Sequence, residues 1–509
     1  MKKFISFIMC ILMVTSLAAP AFAVEAEVPE YPTIYVTGAK TNNIYSAEKV
    51  KVFPKNIDEM ALIKETVGPC MEKLIEGMIS GDYEGYADEF CKSLAPMFEG
   101  ATLDNNGEPS DGSHPEHHSS TIAVSDKKSG YGIWDYRFWY DWRISPVKVA
   151  DEMKAYIDRV IANTKTNENP KVQLVGRCLG ANMIAAYLHY HKDHAKQYVS
   201  DVTYFASSAW GIDYMSAIFA GDLVLEPDAI DNFVEYYMAN GDLIEDEQTK
   251  LLILTMVEFF NQIRVLGLTG EALVKFVDQF KGELIPKFVR ETLGSWPSYW
   301  SMVTDEKFEA ARDFIYGGVE EEYAGMITKI NKYHNEVQNN LIGDMKDLAA
   351  VGVKFYNFTK YGFPEMPVYE GATAQSDTTT TVYRQSFGAT SADYGKVLDD
   401  KYIAKADKKY ISPDKVIDAS TCLFPETTWF VRDLHHDHFG QLEDITLKIM
   451  RYDLTGDSEQ APRFLRNVNG NLEPCDENKE AVKEEESIFA SAIRFFTAII
   501  NFIVKLLKK

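Results

Sequence analysis

Ten residues, Val172-Gln173-Leu174-Val175-Gly176-Arg177-Cys178-Leu179-Gly180-Ala181, restrict the fold of this chain more than any other segment. The aliphatic run up to Val175 reads as a buried strand. It stops at Gly176, and after Gly180 the residues Asn182-Met183-Ile184-Ala185-Ala186-Tyr187-Leu188 read as a helix. A strand that becomes a helix across one non-glycine bend needs small residues on both sides, because side chains there meet neighbouring backbone. Cys178 sits at the bend, presented between the strand and the helix.

The surrounding chain repeats this alternation. Pro32-Thr33-Ile34-Tyr35-Val36-Thr37-Gly38-Ala39 is a β-rich run that ends in glycine. Residues 57–100 follow helical patterns broken by Gly and Asp, and 101–120 form a polar loop that contains His114, His117 and His118. No cysteine or regularly spaced acidic ligand set accompanies these histidines, so they read as solvated loop residues and no metal is expected. Val147 to Asn163 has apolar Val149, Met153, Ile157 and Ile161 at every fourth position, with Ser145 and Pro146 suited to N-cap and N1. Val202-Thr203-Tyr204-Phe205-Ala206 is another strand, as is Val353-Lys354-Phe355-Tyr356-Asn357-Phe358-Thr359, and Thr428-Trp429-Phe430-Val431 reads as the last. Strands alternating with helices imply an α/β fold: a mostly parallel central sheet with helices on both faces. From Gly211 to about Phe314 the pattern is helical, as expected of a large helical cap inserted into the core. The expected division is 1–23, 24–210, 211–345, 346–475 and 476–509.

The ends of the chain carry signals of their own. Lys2 and Lys3, the apolar run from Phe4 to Leu17 and Ala21-Phe22-Ala23 read as a secretory signal peptide, so a secreted or envelope-associated protein beginning at Val24 is expected. The formal charge of −24 becomes −26 once those two lysines leave, since the segment holds no acidic residue. Such acidity argues against nucleic acid as a partner. Six cysteines become five without Cys10, and an odd number leaves at least one thiol free. Cys70 with Cys91 and Cys422 with Cys475 are candidate pairs, and full reduction of all five is the alternative. From Ser487 to Lys509 the polar residues form one narrow stripe on an otherwise apolar helix with terminal lysines. That pattern suits a helix lying in a membrane surface better than one that spans it, because Arg494 and Asn501 interrupt the apolar stretch.

A thiol at a helix N-terminus is favoured as thiolate, which makes Cys178 a candidate nucleophile. The chain places an acid, Asp377, after a late strand, and histidines after the strand at 428–431, in Asp433-Leu434-His435-His436-Asp437-His438-Phe439. Nucleophile, acid, histidine is the chain order of an α/β-hydrolase. Tyr140-Asp141-Trp142-Arg143, Gly294-Ser295-Trp296-Pro297-Ser298-Tyr299-Trp300 and Ser376-Asp377-Thr378-Thr379-Thr380-Thr381-Val382 resemble segments of the lecithin:cholesterol acyltransferase and lysosomal phospholipase A2 branch of that superfamily. The third is similar to the branch's Gly-Asp-Gly-Thr-Val, which supplies the acid. The resemblance spans about Pro32 to His438 in islands, with Cys178 where the family has serine and Arg177 where histidine is common.

The resemblance implies an esterase-like or lipase-like acyl hydrolase, or an acyltransferase; no Rossmann fingerprint, Walker loop or paired Cys-x-x-Cys pattern appears, so no cofactor is expected. Cys178 would attack, Asp377 would orient His436 or alternatively His438, and the N–H groups of Ala39 and Leu179 would hold the oxyanion. A small-molecule or lipid acyl substrate is expected, with contact to a membrane surface through 487–509. A catalytically silent scaffold that binds at the cell surface is the alternative. The sequence is silent on oligomeric state.

Overall fold

The computed structural model describes residues 30–55, 59–164, 169–224, 236, 275–276 and 278–475. The signal peptide read at 1–23, residues 225–235, 237–274 and 277 of the helical stretch read from Gly211 to about Phe314, and the amphipathic segment at 487–509 lie outside the described residues.

Eight strands form the central sheet: β1 (Thr33–Val36), β2 (Tyr136–Phe138), β3 (Val172–Arg177), β4 (Val199–Phe205), β5 (Lys354–Tyr361), β6 (Thr428–Arg432), β7 (Phe464–Val468) and β8 (Asn471–Pro474). Their spatial order is β8-β7-β6-β5-β4-β3-β1-β2. Every neighbouring pair is parallel except β7 with β8. The chain is therefore an α/β protein with a mostly parallel sheet, as its alternating pattern requires.

Period-two alternation divides the sheet between two cores. Ile34, Val36, Leu174 and Val202 join one apolar cluster, and their neighbours Tyr35 and Val175, with Phe205 and Val431, join another. Helix α1 (Pro146–Thr164) places Val149, Met153, Ile157 and Val160 in the first core, and α2 (Leu179–Tyr190) adds Ile184 and Leu188. On the opposite face α3 (Glu443–Tyr452) adds Ile449 and Met450. With both faces covered, the central strands become almost continuously buried, as in β5, where only Lys354 is exposed.

Two features depart from the sequence reading. The strand at 428–431 is not the last, because β7 and β8 follow as an antiparallel hairpin. Its turn residues Asn469 and Gly470 have φ 50° and 85°, the left-handed pair that Asn-Gly supplies at a tight hairpin. Tyr136–Phe138, not among the strands expected from the sequence, is the short edge strand β2. All five described cysteines are free thiols, so neither the 70/91 nor the 422/475 pairing is formed.

One buried acid lies at the beginning of β4, away from the carboxyl ends of the strands. Asp201 accepts hydrogen bonds from Gln173 Nε2 (3.0 Å) and Ser200 Oγ (2.7 Å) through one oxygen, while the other has no partner. Burial pushes its carboxyl up to about 6, against an ordinary 3.8. A raised carboxyl favours the folded state when protonated, so this contribution is full at acid pH and is lost as pH rises toward 6. At neutral pH the ionised group costs up to about 3 kcal/mol. Asp201→Asn is expected to stabilise the fold by roughly 1–3 kcal/mol at pH 8, and the gain should vanish below about pH 4. Urea unfolding across that range checks both the sign and the pH window.

Candidate active site

The sheet changes direction at β1: β2, the next strand of this sheet along the chain, lies on one side of it, and β3 lies on the other. In open parallel sheets a crevice forms outside the carboxyl ends of the strands at such a point. Gly38 and Ala39 follow β1, and Cys178 follows β3, so both segments meet there.

The glycines around Cys178 have distinct steric reasons. A Cβ on Gly180 would stand 2.3 Å from the Val36 carbonyl oxygen and 2.9 Å from that of Thr37, both rigid backbone. One on Gly176 would stand 2.8 Å from Ile184 Cδ1 and 3.1 Å from Ala181 Cα. Helix α2 thus starts in backbone contact with the end of β1, which carries the loop 37–39 to the cysteine. At Gly38 a Cβ would be 3.5 Å from Cys178 Cβ, an ordinary contact that shows how closely the two segments approach.

Cys178 has φ 48° and ψ −121°, outside the regions open to ordinary L-residues. Such a conformation costs about 1–3 kcal/mol and persists only where its surroundings enforce it. Here the Cys178 N–H donates to the Phe205 carbonyl (3.1 Å) and its own carbonyl accepts from the Ala181 N–H (2.9 Å). Cys178 as a residue is half-buried. Burial pushes it up, but His436, the Arg177 guanidinium and a hydrogen bond from the Leu179 N–H together hold it below the ordinary thiol value.

The structure brings Cys178, His436 and Asp377 together. His436 Nδ1 donates to Asp377 Oδ2 at 2.8 Å, and the Cys178 thiol lies within electrostatic reach of the same imidazole. Burial disfavours the imidazolium, yet the charges of Asp377 and Cys178 raise His436 well above an ordinary histidine. Asp377 is fully buried, and its Oδ1 accepts from the N–H groups of Thr379 (3.0 Å) and Thr380 (2.8 Å). Burial pushes its carboxyl up, and His436, Lys360 and the Thr380 N–H together keep it below the ordinary range. The lowered thiol and the raised imidazole both favour transfer of the thiol proton to the imidazole, with the carboxylate fixing the ring. A bond from the His436 N–H to the Asp377 carbonyl (3.0 Å) ties the two loops together through backbone as well.

His438 is not the partner of Asp377. Its ring packs edge-on against His435, with centroids 5.8 Å apart. His435 is hydrogen-bonded with Thr378 Oγ1 (2.6 Å), and burial pushes it down to about 4, which leaves it neutral. The loop histidines serve local contacts: His118 pairs with Glu152 (3.2 Å) and His117 packs on Trp139.

The aromatic islands build the frame behind the site. Tyr140 OH donates to the Thr37 carbonyl (2.7 Å) and Trp142 Nε1 to the Asn42 carbonyl (2.9 Å), fixing both ends of the loop after β1. Asp141 grips the fully buried Arg143 at 2.9 and 2.7 Å. The Ser298 N–H donates to the Arg143 carbonyl (3.3 Å), joining the second island to the first.

Sequence reading missed a second set of residues. Arg177 pairs with Asp437 at 2.9 Å, linking the neighbour of the cysteine to the neighbour of the histidine. Phe439 lies between the Arg177 guanidinium and the Lys360 ammonium, each 3.7 Å from its ring centre. A lysine inside an otherwise buried strand was the available signal, since such a charge demands partners.

Compared with known protein families and with curated proteins, the chain matches no family model and no curated sequence.

Proposed function

We propose that this chain is an exported acyl hydrolase or acyltransferase with an α/β-hydrolase core, the segment 211–345 forming its helical cap. The observation that carries the proposal is the contiguous Cys178–His436–Asp377 constellation at the carboxyl ends of a parallel sheet, with its cysteine held in a strained bend. Its chain order of nucleophile, acid and histidine supports the same reading.

In the proposed cycle the Cys178 thiolate attacks the carbonyl carbon of an ester, and the C=O π pair moves onto oxygen. The N–H groups of Ala39 and Leu179 hold that oxyanion; Leu179 is the first residue of α2, where backbone donors lack helical acceptors. Collapse re-forms the carbonyl and breaks the bond to the alcohol oxygen, which takes the proton from His436. Water, or an acceptor alcohol, then gives its proton to His436 as it attacks the thioester, and the thiolate leaves. A lipid-like acyl substrate met at a membrane surface, with 487–509 as the contact, completes the proposal.

Brief incubation of the reduced mature protein with p-nitrophenyl esters of short and long chain tests it by intact mass. The expected result is one acyl adduct per chain on the wild type and none on Cys178→Ala. A wild type that gains no acyl mass and releases no p-nitrophenol at any chain length contradicts the proposal and favours a silent binding scaffold.

A further inference from the structure

We propose that Lys360 is a positioning residue for the His436 loop: its ammonium gathers three backbone carbonyls and so fixes the histidine between Asp377 and Cys178. Lys360 lies on β5, with 0% of its surface exposed. Its Nζ donates to the carbonyl oxygens of His435 (3.1 Å), His436 (2.9 Å) and His438 (2.6 Å). An ammonium has three N–H donors, and here each meets one acceptor of a single loop. Those carbonyls flank the imidazole from both sides in sequence, so moving any of them moves the ring. The Lys360 N–H is itself fixed by Gln385 Oε1 (2.9 Å), and Gln385 Nε2 donates to the Thr380 carbonyl (2.6 Å) on the turn that holds Asp377. One buried side-chain network therefore registers the acid turn and the histidine loop against the same strand.

The chemistry of the site explains why a cation is kept there. Arg177 and Cys178 face Lys360 from the end of β3, Asp377 from its turn, and Asp437 from the histidine loop itself. Burial pulls the Lys360 ammonium down to about 7, while Asp377 and Asp437 favour its charge against Arg177. A buried lysine without such surroundings is a net cost to folding. Its retention beside the candidate triad, with all three protons directed at one loop, matches a task of position rather than of packing.

The inference rests on the reading of Cys178 as nucleophile for its chemical meaning, but its geometry is testable apart from that reading. Lys360→Met keeps the length of the stem and removes every donor. Two measurements on the full mature chain are compared with wild type: hydrogen exchange of the amides at 434–439, and the pH profile of Cys178 alkylation by iodoacetamide. The expected result is a folded variant in which the His436 amide exchanges at least about tenfold faster. Alkylation at pH 7 should fall about tenfold, its profile moving toward that of an ordinary thiol. A folded variant with wild-type exchange at 434–439 and a wild-type profile overturns the proposal. Should wild-type Cys178 react as an ordinary thiol, the enzymatic reading fails, and the exchange measurement alone decides whether Lys360 positions the loop. Failure of both Lys360→Met and Lys360→Gln to fold also counts against it, because the role would then be structural.

Discussion

Asp377→Asn is expected to slow acylation of Cys178 by about a thousandfold or more while leaving the protein folded, by analogy with the loss seen when the acid of a Ser-His-Asp triad becomes an amide. The direction follows from the turn around residue 377. Asp377 Oδ1 accepts from two backbone N–H groups, Thr379 and Thr380, and only an oxygen can do so. An asparagine must place its carbonyl oxygen there, and its NH2 then faces His436 Nδ1. That nitrogen becomes an acceptor, the imidazole carries its proton on Nε2, and it can no longer take the thiol proton. Loss of the carboxylate charge also removes the principal attraction that raises His436. The rate of mass gain from an activated ester measures the effect. A variant within threefold of wild type would show that His436 and Asp377 have no part in activating the cysteine.

The parallel sheet and the bend at Cys178 were legible in the sequence for local reasons. Gly176 and Gly180 announce the bend because their absent side chains leave room for Val36, Thr37 and Ala181. Asp377 was legible only through its resemblance to a Gly-Asp-Gly-Thr-Val segment, and the structure shows how this chain departs from that pattern: Thr378 adopts φ 81°, a conformation that glycine takes without strain. Choosing between His436 and His438 needed the fold, since both lie on one loop and only backbone geometry decides which ring reaches Asp377. Lys360, Asp437 and Phe439 stayed hidden for a related reason. Their partners are remote in sequence, 260 residues for Asp437 with Arg177 and 78 for Lys360 with His438, but adjacent in space, and no periodic pattern encodes a side chain that binds carbonyls. The hairpin β7–β8 was missed although Asn469-Gly470 is a strong turn signal, because Arg466 and Asn467 interrupt the apolar run of β7.

The thiols of this chain are expected to divide sharply in reactivity. Burial pushes Cys70, Cys422 and Cys475 each up to about 11, and Cys91 to about 12. Among the described cysteines Cys178 alone is lowered, because His436, Arg177 and the Leu179 N–H together outweigh its burial. Alkylation proceeds through the thiolate, and a thiol two units above the ambient pH is only about 1% ionised, one four units above about 0.01%. At pH 7 Cys178 should therefore react at least about a hundredfold faster than any of the other four. Because its thiolate is stabilised, the acid limb of its rate profile should lie below pH 9, the rate falling only as acid protonates the thiolate, whereas the other four should still be rising at pH 9.

The measurement that tests the central claim most directly is the alkylation rate of each described cysteine in the native, reduced protein from pH 4 to 10, resolved by peptide mass. One fast site is expected, Cys178, with its midpoint below that of an ordinary thiol and its preference abolished in His436→Ala. Labelling of Cys178 at the pace of the other four, with a midpoint at or above 9, would contradict it and leave the cysteine a structural residue in a well-formed bend.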